Sequence, residues 1–529
     1  MLDYIIIGGG SAGCVLASRL TEDPNVNVAL LEAGPADTSV LIHCPAGLAL
    51  MAKSKAPTNW RFDTVPQPGL NGRAGYQPCG RVLGGSSSVN AMVYIRGQKS
   101  DYDQWAAEGN PGWSYDEVLP YFKKAENNER GPDAFHGIGG PLNVKDLTSP
   151  TRFGPIFIEA GQQAGLPHNP DFNGASLEGV GMYQVTHKNG ERHSVAKGYL
   201  TPILGRPNLQ VITDAHTTRI LMEGQRAVGV EYRHGNSTQQ LKCSREVLLC
   251  AGALQSPQIL MLSGIGPKAH LQENGIPLVQ DVPGVGQNLH DHVDVVLVHN
   301  APTLTDLFGV TLGGLVRAVK GIFEWRKHRT GMLTTNFAEA GGFAKSSPSE
   351  PVPDLQYHFV IGKLVNHGRA NTFGMGYSVH VCLLNPNSRG SIKLASKDPM
   401  ARPLIDPNFL ADPGDLERMV KGFKLTRTLL AQPALAGYGG TETAASAGAK
   451  SDTQIEDFIR NHADTIYHPV GSCRMGNGPL DVVDAQLRVR GVQNLRVVDA
   501  SIMPTVVSGN TNAPTVMIAE KAAEMIRAG

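Results

Sequence analysis

The sequence predicts an α/β protein of two domains, and three observations carry that prediction. The chain has 529 residues, more than one hydrophobic core usually organises. Residues 3–34 run as apolar strand, glycine-rich turn, helix and second strand, the order of a parallel-sheet unit. Residues 209–212 and 228–232 alternate as strands do, and residues 246–252 form a continuous apolar run of the kind buried on both faces. Apolar residues make up 41% and charged residues 18%, a globular balance.

The first unit is the most informative. Tyr4-Ile5-Ile6-Ile7 is a short strand, Gly8-Gly9-Gly10-Ser11-Ala12-Gly13 a turn, Cys14 to Leu20 a helix and Val26 to Leu31 a second strand, with Asp23-Pro24-Asn25 turning between them. This is a G-x-G-x-x-G fingerprint in its strand–turn–helix setting, which binds a dinucleotide. Gly8 allows the tight turn, Gly10 lets the backbone approach a pyrophosphate, and Gly13 lets the helix lie against the sheet. Ser11 and Ala12 open a helix whose N-terminus favours phosphate. Glu32, nineteen residues after Gly13 and followed by Ala33, suits the two ribose hydroxyls of an adenosine and would repel a 2′-phosphate, which argues against NADP. The same stretch also spells G-x-S-x-G, the nucleophile elbow of serine hydrolases. An elbow on the first strand would have no earlier strand to donate an oxyanion N–H, and it leaves Glu32 unexplained.

Charge and cysteine content exclude several functions. Lys plus Arg and Asp plus Glu both count 47, so there is no basic excess for nucleic acid. The seven cysteines are scattered without a C-x-x-C pair, supporting neither a disulfide framework nor a zinc site. No run of 18 apolar residues would span a membrane, and no basic leader precedes Tyr4, so a cytoplasmic protein is expected.

Later motifs carry a family resemblance. Residues 80–101, from Gly80-Arg81-Val82-Leu83-Gly84-Gly85-Ser86 to Asp101, and residues 252–266, Gly-Ala-Leu-Gln-Ser-Pro-Gln-Ile-Leu-Met-Leu-Ser-Gly-Ile-Gly, resemble the two signatures of the glucose–methanol–choline (GMC) flavin oxidoreductases. Residues 282–289, 387–390, 405–408, 467–476 and 498–501 extend the resemblance over nearly the whole chain. Within the family it is most similar to bacterial choline-dehydrogenase-like and alkanol-dehydrogenase-like members. The resemblance implies a Rossmann-like FAD-binding domain in discontinuous segments, 1–155, 206–297 and 464–529, with a helical extension at 102–150. Residues 156–205 and 298–463 then form a substrate domain with an antiparallel sheet flanked by helices.

It also implies the site. Val82, Gly85, Ser86, Asn90, Ala91, Met92 and Val93 would lie along the flavin, Thr217 at the adenine, and Asp499 and Ala500 in the closing C-terminal motif. Some relatives attach FAD through a histidine at the position of Val89, so FAD is expected to be held non-covalently here. Of seventeen histidines, His468 in Tyr467-His468-Pro469-Val470-Gly471 matches the catalytic one, suited to take a hydroxyl proton while hydride leaves for flavin N5. Gly509-Asn510-Thr511-Asn512-Ala513-Pro514-Thr515 places Asn512 as its partner, an amide that orients the alcohol oxygen and cannot act as base. Pro514 and Thr515 begin a helix aimed at the flavin pyrimidine.

Substrate and electron acceptor remain as alternatives. Glu339 aligns with a glutamate that contacts substrate in choline-type relatives, or it serves a structural ion pair. No aromatic cage for a quaternary ammonium is recognisable, so a primary aliphatic or polyether alcohol ranks ahead of choline. A flavin-scaffold hydroxynitrile lyase and the serine hydrolase are the remote readings. In residues 307–329, which include Val310 and Trp325, the side chains of Leu312, Leu315, Val316, Val319, Ile322 and Phe323 share one helical face beside Arg317, Lys320, Arg326 and Lys327. That pattern suits a membrane interface where quinone is reached, or a helix capping the substrate pocket. Membrane-associated alkanol-dehydrogenase-like relatives favour the quinone over oxygen.

Overall fold

The computed structural model describes residues 1–53, 57–302, 304, 306–309, 311–370 and 372–529. Two seven-stranded sheets organise them. The first begins with β1 (Leu2–Ile7), which is followed by α1 (Ser11–Leu20) and β2 (Val28–Leu31). β1 lies parallel between β2 and Ser237–Leu249, with Ile5 opposite both Ala29 and Val247. Leu209–Ile212 extends the parallel part beside β2, and Leu495–Val497 extends it beyond Ser237–Leu249. β1 from Tyr4 onwards, β2 and the Val247–Leu249 end of the long strand are apolar and buried on both faces, which is why they read as runs rather than alternations; Leu209–Ile212, at the edge, is only partly buried. The thirteen-residue strand Ser237–Leu249 does double duty: its first half pairs antiparallel with Arg226–His234, which pairs in turn with Ala215–Glu223.

The second sheet is antiparallel throughout. Its order is Thr441–Glu442, Val293–Asn300, Gly376–Leu383, Leu355–Val360, Ala338–Ala344, Gly179–Met182, with Asp464–Thr465 pairing Val293–Asn300. Val293–Asn300 runs across the expected boundary at 297 and pairs only within this second sheet, as Asp464–Thr465 also does. The helices Phe153–Gln163, Pro413–Leu430 and Asp452–His462 cover one face through a core containing Phe157, Phe359, Val379 and Phe423. The other face carries Val93, Ala338, Val360 and Ile466, and it meets the glycine-rich loops at the carboxyl ends of β1 and β2, where open α/β sheets bind their ligands.

The segment read as a membrane or capping helix is a helix, Leu312–His328, with Thr311 Oγ1 accepting from the Gly314 N–H at its start; Val310 lies outside the described residues. Its predicted apolar face turns away from the protein: Leu312 is 83% and Phe323 71% exposed, and Leu315, Val316, Val319 and Ile322 are exposed with them. The opposite side makes the packing. Gly321 and Trp325 are buried, Trp325 Nε1 donates to the Gly190 carbonyl at 2.8 Å, and a Cβ on Gly321 would come within 2.9 Å of Met332. No helix among the described residues is long and apolar enough to cross a membrane.

Candidate active site

Two glycine-rich stretches meet at the open end of the first sheet. Gly84 N–H donates to the Gly9 carbonyl at 2.7 Å, and a Cβ on Gly85 would come within 2.8 Å of Gly10 Cα. A Cβ on Gly13 would lie 2.0 Å from the Gly8 carbonyl oxygen, so the close helix–strand contact read from the sequence is present. α1 starts at Ser11 after Gly10, and the C-terminal helix Asn512–Ala528 starts beside it; neither start carries a side-chain cap. The two are tied by the Ser11 hydroxyl, which donates to Asn512 Oδ1 at 2.8 Å. Two uncapped helix N-termini, with Ser86 exposed and Gly10, Ser11, Ala33, Asn90, Ala91, Asn512 and Thr515 partly open to solvent in an otherwise buried region, form a donor-rich trench suited to an anionic cofactor. Pro514 and Ala12 are buried behind it.

Glu32 stands at one end of the trench. Its carboxylate accepts from the Gly9 and Gly34 N–H groups at 2.9 and 2.8 Å, one on each oxygen, so each oxygen keeps acceptor capacity. Burial pushes its pKa up to about 7 against the pull of those two donors. Thr217 is near, because the Glu32 carbonyl accepts from Ala215 N–H two residues earlier. At the other end, Asn90 Oδ1 accepts from Met92 N–H and from Arg192, Met92 takes the left-handed φ of +60°, and Asn336 donates to the Ala91 carbonyl. Val82 and Val93 are buried beneath the loop. Asp499 accepts from Gly252 N–H and the Ser256 hydroxyl, joining the second signature to the turn at Ala500.

His468 lies where the two sheets meet and is 7% exposed. Tyr467, at φ +77°, turns the chain to present it, and the His468 N–H donates to Asp291 Oδ1 at 2.9 Å. Burial, reinforced by the imidazoles of His292 and His358, holds its pKa well below the usual histidine range, so the ring is neutral at pH 7. Its Nδ1 lies 3.0 Å from Nδ1 of His292, and its Nε2 lies 3.1 Å from Nδ2 of Asn510.

The partner is therefore Asn510, which corrects the sequence expectation of Asn512. Asn512 is the first residue of the C-terminal helix, and its side chain meets Ser11; Asn510, two residues earlier and outside the helix, reaches the histidine. Asp291, His292 and Gln356, which donates to Asn510 Oδ1 at 3.2 Å, also escaped the sequence reading. Asp291 and His292 follow directly on the motif at 282–289 and were discoverable there; nothing local marks Gln356. Glu339 is fully buried, and its carboxylate accepts from the Thr151 N–H, the Thr151 hydroxyl and the Thr335 hydroxyl, each at 2.7 Å. It joins two turns rather than making an ion pair.

Comparisons with known proteins identify the family. Two family profiles described as GMC oxidoreductase match residues 2–294 and 386–519. The chain is 50% identical to an alcohol dehydrogenase [acceptor] of Pseudomonas putida, covering 99% of this chain and 96% of the relative. It is 44% identical to an oxygen-dependent choline dehydrogenase of Paraburkholderia xenovorans (strain LB400), covering 99% and 94%. Among solved structures, pyridoxine 4-oxidase from Mesorbium loti superposes with a TM-score of 0.89 at 32% identity over the full length of both chains. With both profiles matched and half the sequence shared end to end with a curated relative, this chain belongs to the GMC oxidoreductases, flavoproteins that bind FAD and act on CH–OH donors.

Proposed function

We propose that the enzyme oxidises a primary alcohol, aliphatic or polyether, to the aldehyde and passes the electrons to a quinone. One observation carries the reading: a buried neutral His468 directs Nε2 at the Asn510 amide, at the meeting of the sheets beside the cofactor trench. An alcohol hydroxyl entering between them gives its proton to Nε2 while Asn510 Nδ2 donates to the alcohol oxygen. Asp291 fixes the backbone of His468, and His292 faces the far ring nitrogen. FAD, when bound, supplies the hydride acceptor at N5.

Gly8, Gly10, Ser11, Ala12 and Gly13 would hold its pyrophosphate, and Glu32, Ala33 and Thr217 its adenosine. Val82, Gly85, Ser86 and Asn90 to Val93 would follow the flavin, with Asp499 and Ala500 closing the site and Asn512, Pro514 and Thr515 at the pyrimidine. Val89 cannot form a covalent link, which supports non-covalent attachment. Ribose hydroxyls that donate to Glu32 favour its charged form, so FAD uptake below about pH 7 requires this carboxyl to lose a proton. The dissociation constant of apoprotein for FAD should rise as pH falls through 7, approaching about tenfold per pH unit. Quenching of FAD fluorescence reads it, and Glu32→Gln should flatten the dependence; an equally steep profile in that variant would refute the contact.

The apolar cluster that holds Ile466, two residues before His468, with Val360, Ala338 and the partly buried Phe337 and Leu364, supports an uncharged substrate chain. A trimethylammonium head would want an aromatic cage and a carboxylate facing it, whereas the Glu339 carboxylate is fully buried among the donors of Thr151 and Thr335. Mixing the yellow enzyme anaerobically with primary alkanols, a polyether alcohol and choline tests this. The first two should bleach the flavin faster. Faster bleaching by choline would make this a choline dehydrogenase, and no bleaching by any alcohol would leave a lyase. The exposed apolar face of the Leu312–His328 helix supports peripheral attachment to the inner face of the cell membrane, and with it the quinone.

A further inference from the structure

Gln356 is a fully buried side chain of the Leu355–Val360 strand that the chemistry above does not use, yet it touches Asn510. Its surroundings fix which way every amide and imidazole between it and the substrate must face. The Tyr183 hydroxyl donates its one proton to the Tyr357 carbonyl at 2.6 Å, and a carbonyl can only accept. Gly341 leaves room for that hydroxyl, since a Cβ there would lie 2.3 Å from it. The Tyr183 oxygen can therefore meet Gln356 only as an acceptor, and Gln356 Nε2 lies 3.4 Å from it. Oε1 of Gln356 falls on the side of the Cys382 thiol, a donor, at 3.9 Å.

With its nitrogen facing this way, Gln356 also donates to Asn510 Oδ1 at 3.2 Å. Asn510 is then left with its NH2 towards His468 Nε2, at 3.1 Å. An amide NH2 cannot accept, so Nε2 must carry the lone pair, and the neutral ring holds its proton on Nδ1, facing Nδ1 of His292 at 3.0 Å. An Asn510 amide turned the other way would present oxygen and force a proton onto Nε2, the atom that must accept the substrate proton.

We propose that Gln356 is a positioning residue that transmits the acceptor character of the Tyr357 carbonyl, through Tyr183 and Asn510, to His468 and so keeps the Nε2 lone pair facing the alcohol. This rests on His468 being the base.

Gln356→Glu tests it, because a carboxylate of the same shape accepts where the amide donated. Asn510 then turns its NH2 to residue 356 and its oxygen to Nε2, and the tautomer inverts. At pH 8 the anaerobic rate of flavin reduction should fall about 10²–10³-fold, as for a catalytic histidine held in the wrong tautomer, with FAD content unchanged. Gln356→Met, which leaves Asn510 free to turn, should lose far less. As pH falls, the Gln356→Glu carboxyl protonates, its O–H replaces the lost donor, and the rate should climb until His468 itself protonates; wild type shows no such climb. The other titratable groups around this point are His358 on the same strand, His380 and Cys382 on the next, Tyr183 opposite, and His468 with His292. Asp291 and Asp294 also face it. A carboxylate at 356 raises the pKa of the imidazoles it faces, His468 among them; that shift lowers the neutral fraction of His468 as pH falls, so it opposes the climb and cannot produce it.

Equal losses in the Glu and Met variants at every pH would overturn the proposal. Should Gln356→Glu fail to fold, Tyr183→Phe removes the anchor and should slow reduction with FAD retained; an unchanged rate there would overturn it equally. His468→Ala run alongside separates the two levels. If that variant is fully active, the base assignment fails; if it is slow while Gln356→Glu matches wild type, only the positioning role fails.

Discussion

Replacing His468 with alanine should slow anaerobic flavin reduction about 10²–10⁴-fold and leave the protein yellow. The expected loss is that of a general base, since without the imidazole the alcohol must surrender its proton to water. The cofactor should stay, because the trench is built from the glycine loops, Glu32 and the C-terminal helix start, none of which leans on the His468 ring. The lost interaction belongs to the transition state, so kcat and kcat/KM should fall together. Added imidazole should restore part of the rate by occupying the vacated space. The pH profile of wild type carries the same signature. The neutral ring is the active form and its pKa is held well below the ordinary value by burial. The rate should therefore persist as pH falls through 6.5 and be lost only as pH drops through that depressed value. A His468→Ala enzyme as fast as wild type would remove the base from the mechanism.

Much of the fold was legible because it rests on local patterns. The strand–turn–helix unit at 3–34 needs glycine at positions where the Gly13–Gly8 and Gly85–Gly10 contacts leave no room for a side chain, and such requirements leave a mark at fixed spacing. The site was legible where it coincides with a motif, as at His468. It failed where two like residues sit two apart: Asn510 and Asn512 both fit the pattern, and only the start of the helix at Asn512 decides which one reaches the histidine. Gln356 was beyond reach for a different reason. Strand parity says which face a residue takes, but the partner that gives Gln356 its meaning, Asn510, comes from the far end of the chain. In the Leu312–His328 helix the apolar face was legible, but its direction was left open between a membrane interface and a cap on the pocket, and the structure turns it outward. Two faces compete for the interior, and the one with Gly314, Gly321 and Trp325 wins because glycine lets the helix sit close to Met332 and Leu333.

That outcome makes the membrane test specific. Wild type should float with vesicles containing an anionic phospholipid, and Leu315→Asp with Phe323→Asp should not. Both side chains are exposed and neither holds the helix to the protein, so the pair of changes leaves the fold alone. Trp325→Asp is the wrong probe, because Trp325 is buried and bonded to Gly190. Burying a large apolar side chain is worth about 1.5–3 kcal/mol, so losing two should weaken partitioning by about 10²–10³-fold or more. Arg326 and Lys327 flank the stripe at its C-terminal end, so binding should also weaken as salt rises. Turnover with a soluble dye acceptor should be unchanged in the double variant, while turnover with ubiquinone carried in the vesicles should fall with binding. That split separates a docking surface from a part of the active site. If wild type stays unbound and oxygen outpaces the quinone, the helix is a cover resting on Gly190 and Met332, and the enzyme is an oxidase.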